Sequence, residues 1–313
     1  MYTIGVDIGG MSVKAGVVNA DGNIIARSVI KTDAVGNTER FIRDIADLLY
    51  DVTSRAHLSP SDIRYVGMGV PGTVNSEAGI VTYACNIGFR NVNLRDAVSE
   101  YWHTPVYLGN DADVAALGEV LYGAGRGTRD ALMITLGTGV GTGIIINSKI
   151  YSGRSGAGGE SGHTVIVVGG EKCACGRRGC FEAYASATAL MRMTSEAVDN
   201  HPSSILASYA REHGIDGRTA FEARKLDCPV AEKVVGDYVM YIGEGTANLV
   251  NIFRPEKVII GGGVSNQGDY FMAMIEDYVN ANAYGRDVNP SVAVVKASLG
   301  NDAGIIGAAR LGE

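Results

Sequence analysis

Three short apolar-rich runs open the chain, Tyr2 to Asp7, Ser12 to Asn19 and Asn23 to Ile30, and Gly-rich or Asp-Gly turns separate them. The pattern predicts three strands joined as hairpins, with no helix between them. At Thr38 the period changes. Phe41, Ile42, Ile45, Leu48, Leu49 and Val52 recur at one-face helical spacing as far as His57, predicting a helix laid on that sheet. A strand from Tyr65 to Val70 follows and ends in Pro71-Gly72.

Near the middle the pattern starts again. Ala131 to Leu136 and Gly143 to Ile150 read as two strands around the loop Gly137-Thr138-Gly139-Val140-Gly141-Thr142. IGVDIGGMSVKAGVV and LMITLGTGVGTGIII are thus two copies of one plan, strand, Gly-rich turn, strand. The duplication predicts two similar halves, each offering a glycine turn to a shared cleft, with a boundary near residue 115. Amphipathic helices are expected from Ala185 to Val198, from Val230 to Ile252 and from about Tyr270 to Ala281. A strand from Lys257 to Ile260 runs into Gly261-Gly262-Gly263, and a last helix covers about Asp302 to Leu311.

Composition narrows the classes. A chain of 313 residues with 46% hydrophobic content suits two domains of ordinary size, each with a core. The formal charge of -7, with no block of Lys or Arg, argues against a nucleic-acid partner. No secretory leader precedes the first strand and no apolar stretch approaches membrane-spanning length, so a cytoplasmic protein without a membrane partner is expected. Of five cysteines, Cys173, Cys175 and Cys180 fall together, which in a reducing compartment reads as a metal site. Cys85 and Cys228 lack partner spacing and read as plain buried or free thiols.

The glycine turns carry the first chemistry. Gly137 to Gly143 has the letters of a dinucleotide fingerprint, but a β-branched strand follows where that motif needs a helix, and no P-loop occurs anywhere. What remains is a pair of hairpin turns, Gly9-Gly10 and Gly137-Thr138-Gly139, whose backbone N–H groups can bond phosphate oxygens. Singly each is as well read as an ordinary Gly hairpin; together they favour a triphosphate. Gly261-Gly262-Gly263, between a strand and a helix, is either a further nucleotide contact or a tight turn.

The residues resemble the ROK sugar kinases, most closely the bacterial glucokinase members, over essentially the whole chain. The resemblance rests on DIGGMSVKAG (7–16), GVPGTVN (69–75), GNDADVAALGE (109–119), LGTGVGTGI (136–144), GGESGHTVI (158–166), CACGRRGCFEAYAS (173–186) and IIGGGVS (259–265), in the family's order. It implies an α/β, actin-like ATPase fold of the hexokinase and ribonuclease H type, two lobes with a duplicated core and a central cleft. The small N-terminal α/β lobe would span residues 1–115, a C-terminal helix of about 302–313 would pack back on it, and residues 116–301 would form the larger α/β lobe with a zinc knuckle. Mg-ATP would be the phosphoryl donor and the 6-hydroxyl of a hexose, foremost glucose, the acceptor. N-acetylmannosamine, mannose and allose are alternative substrates, a non-catalytic sugar-binding regulator is a further reading, and a homodimer is expected.

A sugar alcohol is a poor nucleophile until a carboxylate takes its proton. Asn110-Asp111-Ala112-Asp113 lies between a strand at Val106 to Leu108 and a helix from Ala115, where a side chain can project; the alternative is that Asp111 or Asp113 only caps that helix. By resemblance Asp111 is the general base and Asn110 binds sugar. The family usually has Asn where Asp113 stands. Asp7, after a strand and before the first turn, can hold Mg2+ through water, or merely form the turn. Gly9, Gly10, Ser12 and Lys14 complete the expected phosphate cradle, with Met11 standing where the family commonly carries Thr. By resemblance Glu160, His163, Glu182 and Asn86 join Asn110 around the sugar, and Gly72 lets backbone approach it. His163 with Cys173, Cys175 and Cys180 supplies one imidazole and three thiolates, a closed set suited to structural Zn2+. The knuckle would fix Glu160 and Glu182 and leave the second ring nitrogen of His163 for a sugar hydroxyl.

Overall fold

The computed structural model describes residues 2–313 as a mixed α/β protein. From the N-terminus come strands β1 (Tyr2–Ile8), β2 (Ser12–Val18) and β3 (Ile24–Lys31), helix α1 (Thr38–Arg55), and strands β4 (Ile63–Val70), β5 (Thr73–Asn75), β6 (Ile80–Ala84) and β7 (Phe89–Val92). Then follow α2 (Leu94–Ser99), β8 (Val106–Asn110), α3 (Asp111–Tyr122), β9 (Ala131–Leu136), β10 (Val140–Ile146) and β11 (Lys149–Ile150). The remainder is α4 (Glu182–Ala185), α5 (Ala187–Asn200), α6 (Ile205–His213), α7 (Thr219–Arg224), α8 (Pro229–Phe253), β12 (Lys257–Gly261), α9 (Asp269–Asn282), β13 (Ala293–Lys296) and α10 (Ala303–Ala308).

The chain divides into two compact units, one of residues up to Met133 with 143–159 and 298–313, the other of residues 134–142 and 160–297. In the first, a sheet runs β3-β2-β1-β4-β8, antiparallel through the hairpins and parallel from β1 to β4 to β8. Ile4, Val6 and Ile8 turn one face of β1 into the core, where they join Phe41, Ile45, Leu48, Leu49 and Val52 of α1. Each such side chain contributes roughly 1.5–3 kcal/mol relative to exposure. Asn37 starts α1 by accepting the Arg40 N–H on its side chain.

The opposite face receives α10 at very short range. A Cβ at Gly5 would collide with the Ile305 carbonyl, one at Gly67 with the Ala308 carbonyl, and one at Gly307 with the Val114 carbonyl. Glycine at these positions lets helix backbone lie directly on strand and helix backbone. Glu119 of α3 is wholly buried and ties that helix to the segment that leads into α10. Its carboxylate accepts hydrogen bonds from Ala124 N (2.8 Å), Ser298 N (3.1 Å), Ser298 Oγ (3.3 Å) and Leu299 N (2.7 Å).

A three-stranded sheet, β5-β6-β7, and strand β13 were not expected from the sequence pattern; their short runs carry little periodicity. The strand expected from Gly143 to Ile150 is instead two, β10 and β11, because Asn147 (φ 53) and Ser148 (φ 62) form the left-handed pair of a tight hairpin turn. The second five-stranded sheet has the order β11-β10-β9-β12-β13. Within the second unit α8 is central, and its Gly245 faces the buried Phe181 ring. Tyr238 of α8 donates its hydroxyl to the Ala185 carbonyl at 2.8 Å, which anchors α4.

Candidate active site

In the first unit, the turn between β1 and β2 is closed by Gly9 N donating to Ser12 O (3.0 Å). Thr32, just past β3, clamps it with two bonds: its N–H donates to Met11 O (3.1 Å) and its hydroxyl to Gly9 O (2.7 Å). Asp7 and Lys14 are cross-strand partners, 3.7 Å apart, and the Asp7 side chain is 24% exposed. Burial pushes the Asp7 carboxyl above its ordinary value, and Lys14 pulls it partly back. Gly304 of α10 leaves room for that carboxyl, since a Cβ there would lie 3.0 Å from Asp7 Cγ. Met11 projects outward, 87% exposed. Gly10 lies next to Asn86, which a Cβ would meet at 3.8 Å, so the first turn and one expected sugar residue are neighbours.

Asp111 is the first residue of α3. Asn110, not Asp111 or Asp113, is the cap: its Oδ1 accepts from Ala112 N (2.9 Å) and Asp113 N (3.2 Å), while its Nδ2 donates to Gly72 O (2.9 Å). Asp111 Oδ1 also accepts from Ala112 N at 2.9 Å, and the helix N-terminus favours its negative charge. Gly72 has φ +87° and sits where a Cβ would strike the Tyr83 carbonyl, so the position requires glycine. Gly72, Asn110 and Asp111 are thereby brought together at the carboxyl ends of the parallel strands β4 and β8. Asp113 is buried. Sequence reasoning missed Thr32 and Glu119, whose roles depend on partners distant along the chain.

In the second unit, ligand atoms of His163, Cys173, Cys175 and Cys180 lie within 4.8 Å of one another. Zinc bond lengths of about 2.3 Å to sulfur and ~2.0–2.1 Å to nitrogen put the edges of a tetrahedron near ~3.8 Å between sulfurs and ~3.6 Å between sulfur and nitrogen. The Cys175 and Cys180 sulfurs are 3.7 Å apart, and His163 Nδ1 is 3.6 Å from the Cys173 sulfur, so the donor set fits the ion. Nδ1 faces the sulfurs, leaving Nε2 for another partner. Burial pushes the Cys173 thiol up to about 12, whereas the Arg177 N–H holds the exposed Cys175 thiol below its usual value.

Glu182 opens α4. Its Oε1 receives the Cys173 thiol at 3.6 Å and its Oε2 the Val140 N–H at 3.1 Å. A Cβ at Gly139 would collide with Oε2. Glu160 is exposed, and its carbonyl accepts the His163 N–H at 3.1 Å. The turn between β9 and β10 is closed by Gly137 N donating to Gly139 O (3.0 Å). Two residues at the start of α5 hold it: Ala187 N donates to Gly137 O (2.8 Å) and Thr188 Oγ1 to Thr138 O (2.9 Å). Gly262 (φ +84°) packs on the Leu136 backbone, so the Gly261–Gly263 segment adjoins this turn, and a 3-10 turn from Gly263 to Gln267 precedes α9. A cavity of about 560 Å3 in the same unit, between α5 and α8, is lined by Tyr184, Arg192 and Tyr241 among others and by none of the candidate site residues.

A family model described as "ROK family" matches residues 3–313. A protein named glucokinase from Halalkalibacterium halodurans is 40% identical over 308 residues, covering 98% of this chain and 93% of the relative. One of the same name from Streptomyces coelicolor is 36% identical over 313 residues, covering 99% and 96%. The crystal structure of a ROK family glucokinase from Streptomyces griseus in complex with glucose and AMPPNP superposes with a TM-score of 0.82 at 35% identity, covering 99% of both chains.

Proposed function

The chain belongs to the ROK family, and from that premise we infer that it is an ATP-dependent hexose kinase converting glucose to glucose 6-phosphate. Its fold is the actin-like ATPase fold of the ROK sugar kinases. The observation that carries the reading is the near-full-length likeness to glucokinases, one of them holding glucose and an ATP analogue. Asn110-Asp111, where β8 meets α3, supports the assignment of the chemistry.

In this reading Asp111 accepts the proton of the sugar 6-hydroxyl as its oxygen bonds the terminal phosphorus of ATP and the bond to the β-phosphate oxygen breaks. Asn110 fixes the start of α3 and, with Gly72, the backbone that approaches the sugar. Asn86, Glu160, His163 and Glu182 hydrogen-bond sugar hydroxyls, His163 through Nε2; a site that pairs each hydroxyl rejects analogues lacking one. Gly9, Gly10, Ser12 and Lys14 in the first unit, and Gly137, Thr138, Gly139 and Gly261–Gly263 in the second, hold nucleotide. Asp7 would hold Mg2+, which would supply neutralisation of phosphate charge, and the three cysteines with His163 would hold Zn2+, which would fasten the 163–180 loops. The reading includes a cytoplasmic homodimer; among the described residues no helix is long and apolar enough to cross a membrane.

The test is Asp111→Asn, which preserves the oxygen that accepts Ala112 N. Turnover with glucose, followed by a coupled ADP assay, is expected to fall about 10²–10⁴-fold with glucose still bound and the fold retained, stability dropping by only about 0.3–1 kcal/mol for the charge lost at the helix N-terminus. Near-normal turnover would remove Asp111 as base. Running the wild type against glucose, N-acetylmannosamine, mannose and allose checks the substrate, and a higher kcat/KM for any sugar other than glucose would reassign it.

A further inference from the structure

We propose that the cysteine-histidine knuckle and the second glycine turn are one coupled device, so that metal occupancy at His163, Cys173, Cys175 and Cys180 sets nucleotide affinity at Gly137–Gly139. The inference rests on the kinase reading above and deepens it.

The link is a strap, residues 182–188, that begins two residues after the ligand Cys180. Phe181 between them is fully buried, its N–H donates to Thr164 O at 2.8 Å, and its ring sits against Gly245 of α8. The Tyr238 hydroxyl holds the middle of the strap at Ala185 O. Cys180 itself pairs with Val165 in an isolated bridge, next to Thr164 and His163. A displacement of Cys180 is therefore passed along the strap instead of being absorbed by loose chain.

At its far end the strap sets how the turn's peptides are aimed. Ala187 N and Thr188 Oγ1 draw the carbonyls of Gly137 and Thr138 towards the strap, at 2.8 and 2.9 Å. The described chain has no cis peptide bonds, and in a trans peptide the N–H points opposite to the carbonyl of the same plane. The N–H groups of Thr138 and Gly139, which share planes with those two carbonyls, consequently face away from the strap. They are the turn's donors for an anion, and the strap fixes their direction. Glu182 adds a second route: one oxygen accepts Val140 N and the other the Cys173 thiol, and zinc, by deprotonating that thiol, breaks the second bond.

Metal bonds fix the knuckle loops, so releasing the metal frees Cys180, and with it the strap that aims the two N–H groups. A coupling between two ligands is reciprocal, so AMPPNP must tighten zinc by the factor by which zinc tightens AMPPNP. The experiment uses sugar-free and magnesium-free protein. AMPPNP is titrated calorimetrically into zinc-loaded and chelator-stripped samples, and its Kd is expected to be about fivefold or more weaker without zinc. The reciprocal arm starts from folded, loaded protein: saturating AMPPNP should raise, by the same factor, the concentration of zinc-selective chelator that removes half the metal. This arm decides the matter if stripped protein unfolds. Thr188→Val leaves every metal ligand in place and should bring that factor to less than half. A chelator midpoint indifferent to AMPPNP, or equal AMPPNP Kd values with and without zinc in folded protein, overturns the coupling and leaves the kinase reading standing. Failure of loaded protein to bind AMPPNP overturns both.

Discussion

The turn after β1 is held by the sheet it belongs to, whereas the turn after β9 is held by a segment 50 residues further along the chain. Both follow one plan of strand, glycines and strand, but Asp7 of the first copy has Thr135 as its counterpart in the second. The first turn takes its shape from Thr32 at the end of the neighbouring hairpin and sets a carboxylate beside Lys14. The second has no such pair at its root and borrows its carboxylate, Glu182, from the strap beyond the cysteines. Duplication thus supplied two similar glycine turns, and their different anchorage ties one to its own sheet and the other to a segment far along the chain.

The largest expected contrast comes from adding one methyl group to each turn. Gly139→Ala drives Glu182 off Val140 N, and losing a hydrogen bond to a charged group should raise the glucose KM about tenfold. Because only the swinging end of Glu182 is struck, the fold should be retained, at a cost of about 1–3 kcal/mol for the Val140 N–H that loses its partner. Gly10→Ala meets Asn86 at an ordinary 3.8 Å, and stability should stay within about 0.5 kcal/mol. An unchanged glucose KM in Gly139→Ala would erase the distinction.

Thr32→Val and Thr188→Val each delete one hydroxyl bond and should each cost about 0.5–1.5 kcal/mol. Hydrogen exchange should rise around Gly9–Ser12 in the first variant and around Gly137–Val140 in the second. Exchange rising at both turns in either variant would contradict separate anchorage.

The smallest effect concerns pH. Because burial holds the Asp7 carboxyl above its ordinary 3.8, the folded state binds that proton more tightly than the unfolded chain. The associated stability is present below 3.8 and is lost as pH rises through the folded value. Asp7→Asn should flatten urea-melt stability across that window and leave the protein slightly more stable at neutral pH, although Lys14 loses its partner. A slope unchanged from the wild type would mean that Asp7 carries no such cost.

Most of the first unit was legible because its hairpins and α1 have strong periods; β2 begins at Ser12 and α1 at Thr38, where the pattern placed them. β9 was read with both ends correct, and the metal donors were found together. What escaped depends on long-range pairing. Strands of three or four residues such as β5 and β13 have no period of their own, and Thr188, Thr32 and Glu119 look like ordinary helix or loop residues until their partners are seen. The capping role of Asn110 was likewise hidden, because Asn and Asp at adjacent positions are equally good caps on paper.

The backbone-on-backbone seating of α10 has a consequence for biosynthesis. The slot formed by Gly5, Gly67 and the Val114 carbonyl waits for a helix made some 300 residues after β1. At ribosomal speeds of about 5–20 residues per second the first sheet stays open on that side for tens of seconds. The nascent chain must spend that interval with one flank uncovered, which makes the earliest-made part of this protein among the last to be completed.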